Sequence, residues 1–163
     1  MRIAIYPGTF DPITFGHVDL VTKGLKVVDK IIVAISETIN NEHLFTVEER
    51  ISLIKNALYK DLNFDKKKVK IISFSSLTTS LCNKYNANLI LRGLRVVSDF
   101  EYEFQLAGMN KKLNRHIETI FLMANIENQV ISSSLVKEIA QLGGNMSKFT
   151  TKSTVKALKE KLR

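Results

Sequence analysis

The sequence predicts a single α/β domain over residues 1–163, a doubly wound sheet of about five parallel strands with helices on both faces. Two observations carry that prediction. Short, continuous apolar runs rich in β-branched residues recur along the chain, as expected of strands buried on both faces. A stretch with helical periodicity separates each run from the next, so neighbouring strands are joined by crossovers and lie parallel. No repeat, low-complexity tract or linker divides the chain.

Each element has its own signal. Arg2–Tyr6 (RIAIY) is a short apolar run expected to end at the turn Pro7-Gly8. From Gly16 to Val28, the residues Val18, Val21, Leu25 and Val28 recur at helical spacing. Lys30–Ser36 (KIIVAIS) is the second strand. Thr46-Val47-Glu48-Glu49 is a capping box, and Val47, Ile51, Ile54 and Leu58 form the apolar stripe behind it. Val69–Phe74 is the third strand, and Thr79–Tyr85 a short helix that Cys82 packs. Asn88–Leu91 is the fourth strand, expected to end at Arg92-Gly93. Ser98–Glu101 offers a second capping box for a helix reaching about Leu113. Glu118–Met123 is the fifth strand. Ser132–Leu142 is a helix with Leu135, Ile139 and Leu142 on its expected inner face and Gly143-Gly144 as its stop. Val155, Leu158 and Leu162 mark a C-terminal helix. The polar stretch Glu37–Phe45 is the candidate flap over a site.

Composition narrows the function. One cysteine excludes an internal disulfide framework and a Cys-cluster zinc site, and the three histidines lie far apart. No apolar run is long enough for a membrane span, and the apolar part of MRIAIYPG is too short for a signal peptide, so a cytoplasmic protein is expected. The net charge is +8. Lys60–Lys70 carries five Lys against two Asp, and Met146–Arg163 carries five Lys and one Arg against one Glu. This excess is peripheral, Lys-dominated and poor in aromatics, which suits solvated surface better than a nucleic-acid face.

Three clusters sit where strands end or helices begin. Gly8, Thr9, Phe10, Gly16 and His17 span the passage from the first strand into the first helix. Gly8 lets the backbone approach a ligand, and Gly16 leaves room above the helix start. His17 lies in the first helical turn, where free N–H groups and the dipole favour an anion. A neutral imidazole there can donate to a phosphoryl oxygen; a lone histidine could equally cap or pack. Arg92 and Arg95 are expected just beyond the fourth strand, at the ligand-binding end of the sheet. Their planar forks suit phosphate, with a salt-bridge set to Asp99, Glu101 and Glu103 as the alternative. Ser132, Ser133 and Ser134 open a helix and could cradle phosphate, although capping alone needs one serine. The stretch Asn40-Asn41-Glu42-His43 closes over a substrate or is plain solvated loop.

Together these residues resemble the nucleotidyltransferases that carry a T/H-x-G-H motif, here Thr14-Phe15-Gly16-His17, and a late I-S-S-S/T motif, here Ile131–Ser134. YPGTFDPIT, FTVEER, LRGLR, DFEYE, QLA and ISSSLVKE, in that order, are similar to the phosphopantetheine adenylyltransferase family of bacterial coenzyme A synthesis. The resemblance implies a Rossmann-like fold. It also implies transfer of the adenylyl group of ATP to 4'-phosphopantetheine, giving dephospho-coenzyme A and pyrophosphate. It implies ATP contacts at Thr9, Phe10, His17, Gly93, Leu94, Arg95, Glu103 and the segment Asn128, Gln129, Val130, Ile131, Ser132, Ser133 and Ser134. His17 would stabilise the transition state. Thr9, Asn41, Thr78 and Arg92 would contact the acceptor. Mg²⁺ would arrive with the ATP phosphates, since no carboxylate pair is placed for a dedicated metal site. A homohexamer is implied as well. Asn41 stands where the family places a lysine, Phe15 where it often has Asn, and Asn128 where it has an aromatic. A nicotinate or nicotinamide mononucleotide acceptor, or CTP with a phospho-alcohol, is the alternative within the superfamily. A nucleic-acid module built on Lys152, Lys156 and Lys159 is the alternative outside it.

Overall fold

The computed structural model describes residues 1–37 and 43–162. Its five strands are β1 (Ile3–Gly8), β2 (Lys30–Ser36), β3 (Val69–Phe74), β4 (Leu89–Leu94) and β5 (Glu118–Met123). They form one parallel sheet in the order β3-β2-β1-β4-β5. The strand order reverses direction between β1 and β4, and a doubly wound sheet binds its ligands at such a point.

Alternate side chains of each strand enter opposite layers. Ala4, Tyr6, Ile31, Val33, Ile35, Val69, Ile71 and Leu91 face α1 (Phe15–Gly24), α2 (Val47–Lys55) and the wide helical turn Asn56–Asp61. Ile5, Ile32, Ala34 and Ile90 face Leu81 and Cys82 of α3 (Thr78–Lys84). Helix α4 (Val97–Leu113) is tied to α3 where the Asn114 amide donates to Asn83 Oδ1 at 2.9 Å. The expected double cover is therefore present, and it explains why β1 and β2 are apolar without alternation. A third cluster joins Phe45 and Leu53 to Ile131, Val136 and Leu158. It seats α6 (Ser133–Gln141) and α7 (Lys152–Lys161) beside α2.

The capping box at Thr46 forms as read: the Glu49 N–H donates to Thr46 Oγ1 at 3.2 Å, and the Thr46 N–H donates to the Glu49 carboxylate at 2.8 Å. The glycine stop is a Schellman turn. Gly143 has φ +77°, Gly143 N–H donates to Ala140 O, and Gly144 N–H donates to Ile139 O.

Several expectations are corrected. β1 runs through Pro7-Gly8 and β4 through Arg92-Gly93-Leu94, so these residues lie within strands rather than beyond them. Helix α1 stops at Gly24 instead of Val28, where a Cβ would lie 2.7 Å from Ile31 and 2.8 Å from Leu91. Ser98 does not cap α4; the Asp99 carboxylate accepts from the Arg95 and Val96 N–H groups. The inner face of α6 is Val136, Ile139 and Ala140, while Leu135 and Leu142 are 49% and 81% exposed. The short helix α5 (Ile126–Gln129) was not expected, and none of its residues is buried. A four-residue excursion without an apolar face carries no periodic signal. In the Glu37–Phe45 flap, Asn40 and Asn41 lie outside the described residues.

Candidate active site

The two sides of β1 differ. It pairs with β2 through six successive residues, Ile3 to Gly8, but with β4 only at Ala4 and Ile5. Beyond Ile5 the strands diverge, and a cleft of about 530 Å³ opens at their carboxyl ends. Pro7 suits this edge because it has no N–H to leave unpaired. Its carbonyl accepts from Arg92 Nη1 at 2.9 Å, so a guanidinium spans the gap where a backbone ladder would have continued.

Arg92 is also paired with Glu103 of α4. Its Nε donates to Glu103 Oε2 at 2.7 Å and its Nη2 to Glu103 Oε1, with Glu103 buried. Burial opposes the charge on Arg92, but Glu103 outweighs it and holds the guanidinium above its ordinary value. Three of the five donors of Arg92 are thus engaged by the protein. Gly93 beside it has no room for a side chain: a Cβ would lie 2.3 Å from Leu20 of α1.

The floor of the cleft is aromatic. Phe10, buried and with φ +52°, places its ring 5.3 Å from Tyr6 and 4.9 Å from the His17 imidazole. Gly8 is small for the same reason: a Cβ there would lie 2.9 Å from the Phe10 ring. The glycine therefore accommodates Phe10 as well as any ligand. Burial raises the Tyr6 phenol, so it stays protonated.

His17 sits in the first turn of α1. The Thr14 N–H donates to His17 Nδ1 at 3.0 Å, so this nitrogen is the acceptor and the proton resides on Nε2. Burial, with Arg95 contributing, lowers its pKa from 6.5 to about 4. At neutral pH the ring is an uncharged, oriented donor beside the positive end of a helix. Arg95 stands at the rim, 37% exposed, with Nη1 donating to Ile131 O at 3.2 Å and Nε 3.4 Å from Asp99.

Two of the three serines have structural duties. Ser132 caps α6 by accepting from Leu135 N–H at 3.1 Å, and Ser133 donates to Pro12 O at 2.7 Å. Ser134 is exposed at the mouth. Gly16 is less demanding: a Cβ would make only ordinary contacts, 3.7 Å from the carbonyls of Asn128 and Ile131.

The structure thus brings Thr9, Phe10, His17, Thr78, Arg92, Gly93, Arg95, Glu103 and Ile131–Ser134 around one cleft. Leu94, Asn128, Gln129 and Val130 do not line it, and Asn41 lies outside the described residues. Among the described residues no group of three His, Cys, Asp or Glu side chains could hold a metal ion. The cleft carboxylates Asp99 and Glu103 are both engaged by backbone N–H groups or arginine.

The cytidylyltransferase-like family model matches residues 5–139. A phosphopantetheine adenylyltransferase of Pelagibacter ubique is 66% identical over 160 residues, covering 98% of this chain and 98% of its own. The chain belongs to the phosphopantetheine adenylyltransferase family. A relative of the same name from Caldanaerobacter subterraneus is 47% identical over 163 residues, covering 100% of this chain and 99% of its own. The fold is shared more widely. The nicotinic acid mononucleotide adenylyltransferase of Plasmodium falciparum, solved with APC, superposes with a TM-score of 0.72 at 16% identity, covering 98% of this chain and 94% of that one.

Further residues line the cleft that were not among the expected contacts, although Tyr6, Tyr102 and Leu106 lie within the motifs quoted above. Tyr6 and Leu20 build the floor, and Tyr102, Leu106 and Asn110 line the wall from α4. For Leu106 and Asn110 the signal is position along α4, where they follow Glu103 at helical spacing.

Proposed function

We propose that this chain transfers the adenylyl group of ATP to the phosphate of 4'-phosphopantetheine, giving dephospho-coenzyme A and pyrophosphate by direct in-line displacement. A phosphate oxygen of the acceptor attacks the α-phosphorus, and the bond to the pyrophosphate oxygen breaks. The acceptor is already an anion, so no base has to remove a proton. What the protein must supply is placement of two anions and stabilisation of charge on the phosphorus oxygens.

The observation that carries this reading is the neutral His17, fixed by Thr14 N–H with its Nε2–H free to donate at the cleft. In the proposal His17 stabilises the transition state, and Thr9, Arg95 and Ser132–Ser134 hold the triphosphate side. Phe10, Gly93, Glu103 and Ile131 line the rest of the nucleotide site, and Leu94 and Asn128–Val130, outside the cleft lining, border it in the proposal. Arg92, Thr78 and Asn41 belong to the acceptor side, with the two remaining donors of Arg92 available to its phosphate. Magnesium would be held by the nucleotide's own phosphates and would offset their charge, since the cleft carboxylates Asp99 and Glu103 are engaged by N–H groups and arginine. No helix among the described residues is long and apolar enough to cross a membrane, which agrees with soluble substrates. Helix α4 exposes Val97, Phe100, Phe104, Met109 and Leu113, which supports assembly into the proposed homohexamer.

Pyrophosphate release from MgATP tests the reaction, with 4'-phosphopantetheine and nicotinate mononucleotide supplied separately. Release with the first alone is expected. Release with the second alone would overturn the assignment of the acceptor. Sedimentation of the same protein checks the hexamer.

A further inference from the structure

Between the ends of β5 and α6 the chain leaves the body and returns. Ala124 and Ile131 are buried at the two ends, while Ile126 and Val130 between them are 84% and 72% exposed. An excursion without an apolar face is not held by packing, so polar contacts must place it. Three side chains of the body reach it or its flanks, beside the Ala124 N–H that donates to Leu94 O on β4. Lys23 Nζ donates to Met123 O at 2.6 Å, and Arg95 Nη1 donates to Ile131 O at 3.2 Å. The third is the one that grips the excursion itself, and it has two bonds. The carboxylate of Asp19, itself buried, accepts from Asn125 N–H at 2.7 Å and from the Asn125 side-chain amide at 2.9 Å, with Lys23 3.1 Å away.

Asp19 lies two residues beyond His17 on the same helix. From Asn125 the hold passes along the backbone: Asn128 N–H donates to Asn125 O, and Ile131 N–H donates to Asn128 O. The carbonyls of Asn128 and Ile131 then face Gly16 at the mouth of the cleft. One helix therefore presents the donor His17 and, a half-turn on, anchors the segment that leads to Ile131 at the cleft wall.

We propose that Asp19 is a positioning residue for nucleotide binding: it clamps Asn125 and so fixes Asn128–Ile131 over the ATP half of the cleft. This rests on the placement of ATP given above. Without the clamp the excursion samples other positions, and the apparent dissociation constant for ATP rises by the inverse of the fraction still in place. The acceptor side, built on Arg92 and Thr78, does not use Asn125. A role in general stability would weaken both ligands together; a positioning role weakens one.

The test is calorimetric titration of MgATP and, separately, of 4'-phosphopantetheine into wild-type protein, Asp19→Ala and Asp19→Asn. The Asp19→Asn side chain can still pair with a rotated Asn125 amide, so it is the graded case. The expected result is ATP affinity weakened by about tenfold or more in Asp19→Ala and by a smaller factor in Asp19→Asn, following the loss of a charge-assisted pair. Acceptor affinity should stay within about twofold, as for a site with no shared partner. Equal weakening of both ligands, or unchanged ATP affinity, would overturn the proposal. Should Asp19→Ala fail to fold, Asn125→Ala removes the side-chain donor and keeps the N–H, and a smaller loss, still confined to ATP, is expected. Failure of the wild type to bind ATP would instead overturn the reaction proposed above, so the two failures are distinguishable.

Discussion

The two edges of β1 show how one strand serves both stability and chemistry. Toward β2 the pairing is complete along six residues and dry, with Ile31, Val33 and Ile35 buried against α1 and α2. Toward β4 only Ala4 and Ile5 pair, and beyond them charged and polar groups take over. On the closed side the loop ends are drawn together by buried ions. The Arg50 guanidinium, 1% exposed, donates to the carbonyls of Thr9 at 2.8 Å and Ser36 at 3.1 Å. Asp11 accepts from the Leu44 and Phe45 N–H groups and from Lys137, all at 2.9 Å. On the open side Arg92 faces the cleft with donors to spare. The same residue type is thus a strut on one edge and, in the proposed reaction, a ligand group on the other, and what separates the two is whether the strands stay paired.

Substitutions should divide along that line. The largest effect is expected of Arg92→Ala, which strips Glu103 of its partner and the β1–β4 gap of its bridge. It should cost about 3 kcal/mol of stability, as for one member of a buried pair, and abolish measurable transfer. Chemical denaturation and a turnover assay on the same sample would show both losses. His17→Ala comes next and should break only the open edge: turnover falls by about 10² to 10³, with the melting curve little changed. A variant that melts early, or that turns over normally, would contradict the division. Ile31→Ala is the mirror image on the closed edge. It should lose about 3 kcal/mol of stability while each folded molecule keeps wild-type turnover.

The smallest effect is on pH dependence. His17 has its pKa lowered from 6.5 to about 4 in the fold, so between those values the unfolded chain binds the additional proton. Stability is therefore complete above about pH 6.5 and falls as pH drops toward 4. Asp11 acts further down: burial raises it, but the Leu44 and Phe45 N–H groups and Lys137 outweigh this and hold it below 3.8. Its contribution is lost as pH falls through that lowered value. In His17→Gln the decline between pH 6.5 and 4 should be shallower, with the steeper acid loss below it retained.

The closed edge was the more legible in sequence. β2, β3 and β5 begin and end where their apolar runs do, and the Thr46 capping box needs only its own four residues. These are local signals, or signals of burial on both faces. The open edge depends on partners far apart in the chain. That β4 continues through Arg92 and Gly93 follows from Leu20 packing under Gly93 and Glu103 receiving Arg92, and no spacing along LRGLR encodes either. The inner face of α6 was misread because Leu135 and Leu142 are as apolar as Val136, and only the tertiary neighbours Phe45, Leu53 and Leu158 decide which side turns in. Of the candidate site, the residues near strand ends and helix starts were found because their positions imply free N–H groups and a cleft. Asp11, Asp19 and Arg50 were missed because a buried ion gives no sign in sequence of what it holds.

The central claim is that the open edge works through a neutral, oriented His17. Nitrogen-15 NMR of protein labelled at histidine measures this directly, following the His17 ring as pH is lowered from about 8 to about 5. The expected spectrum keeps an acceptor-type Nδ1 and a protonated Nε2 throughout, with no change of charge in that range. A ring that titrates near 6.5, or that carries its proton on Nδ1, would contradict the account.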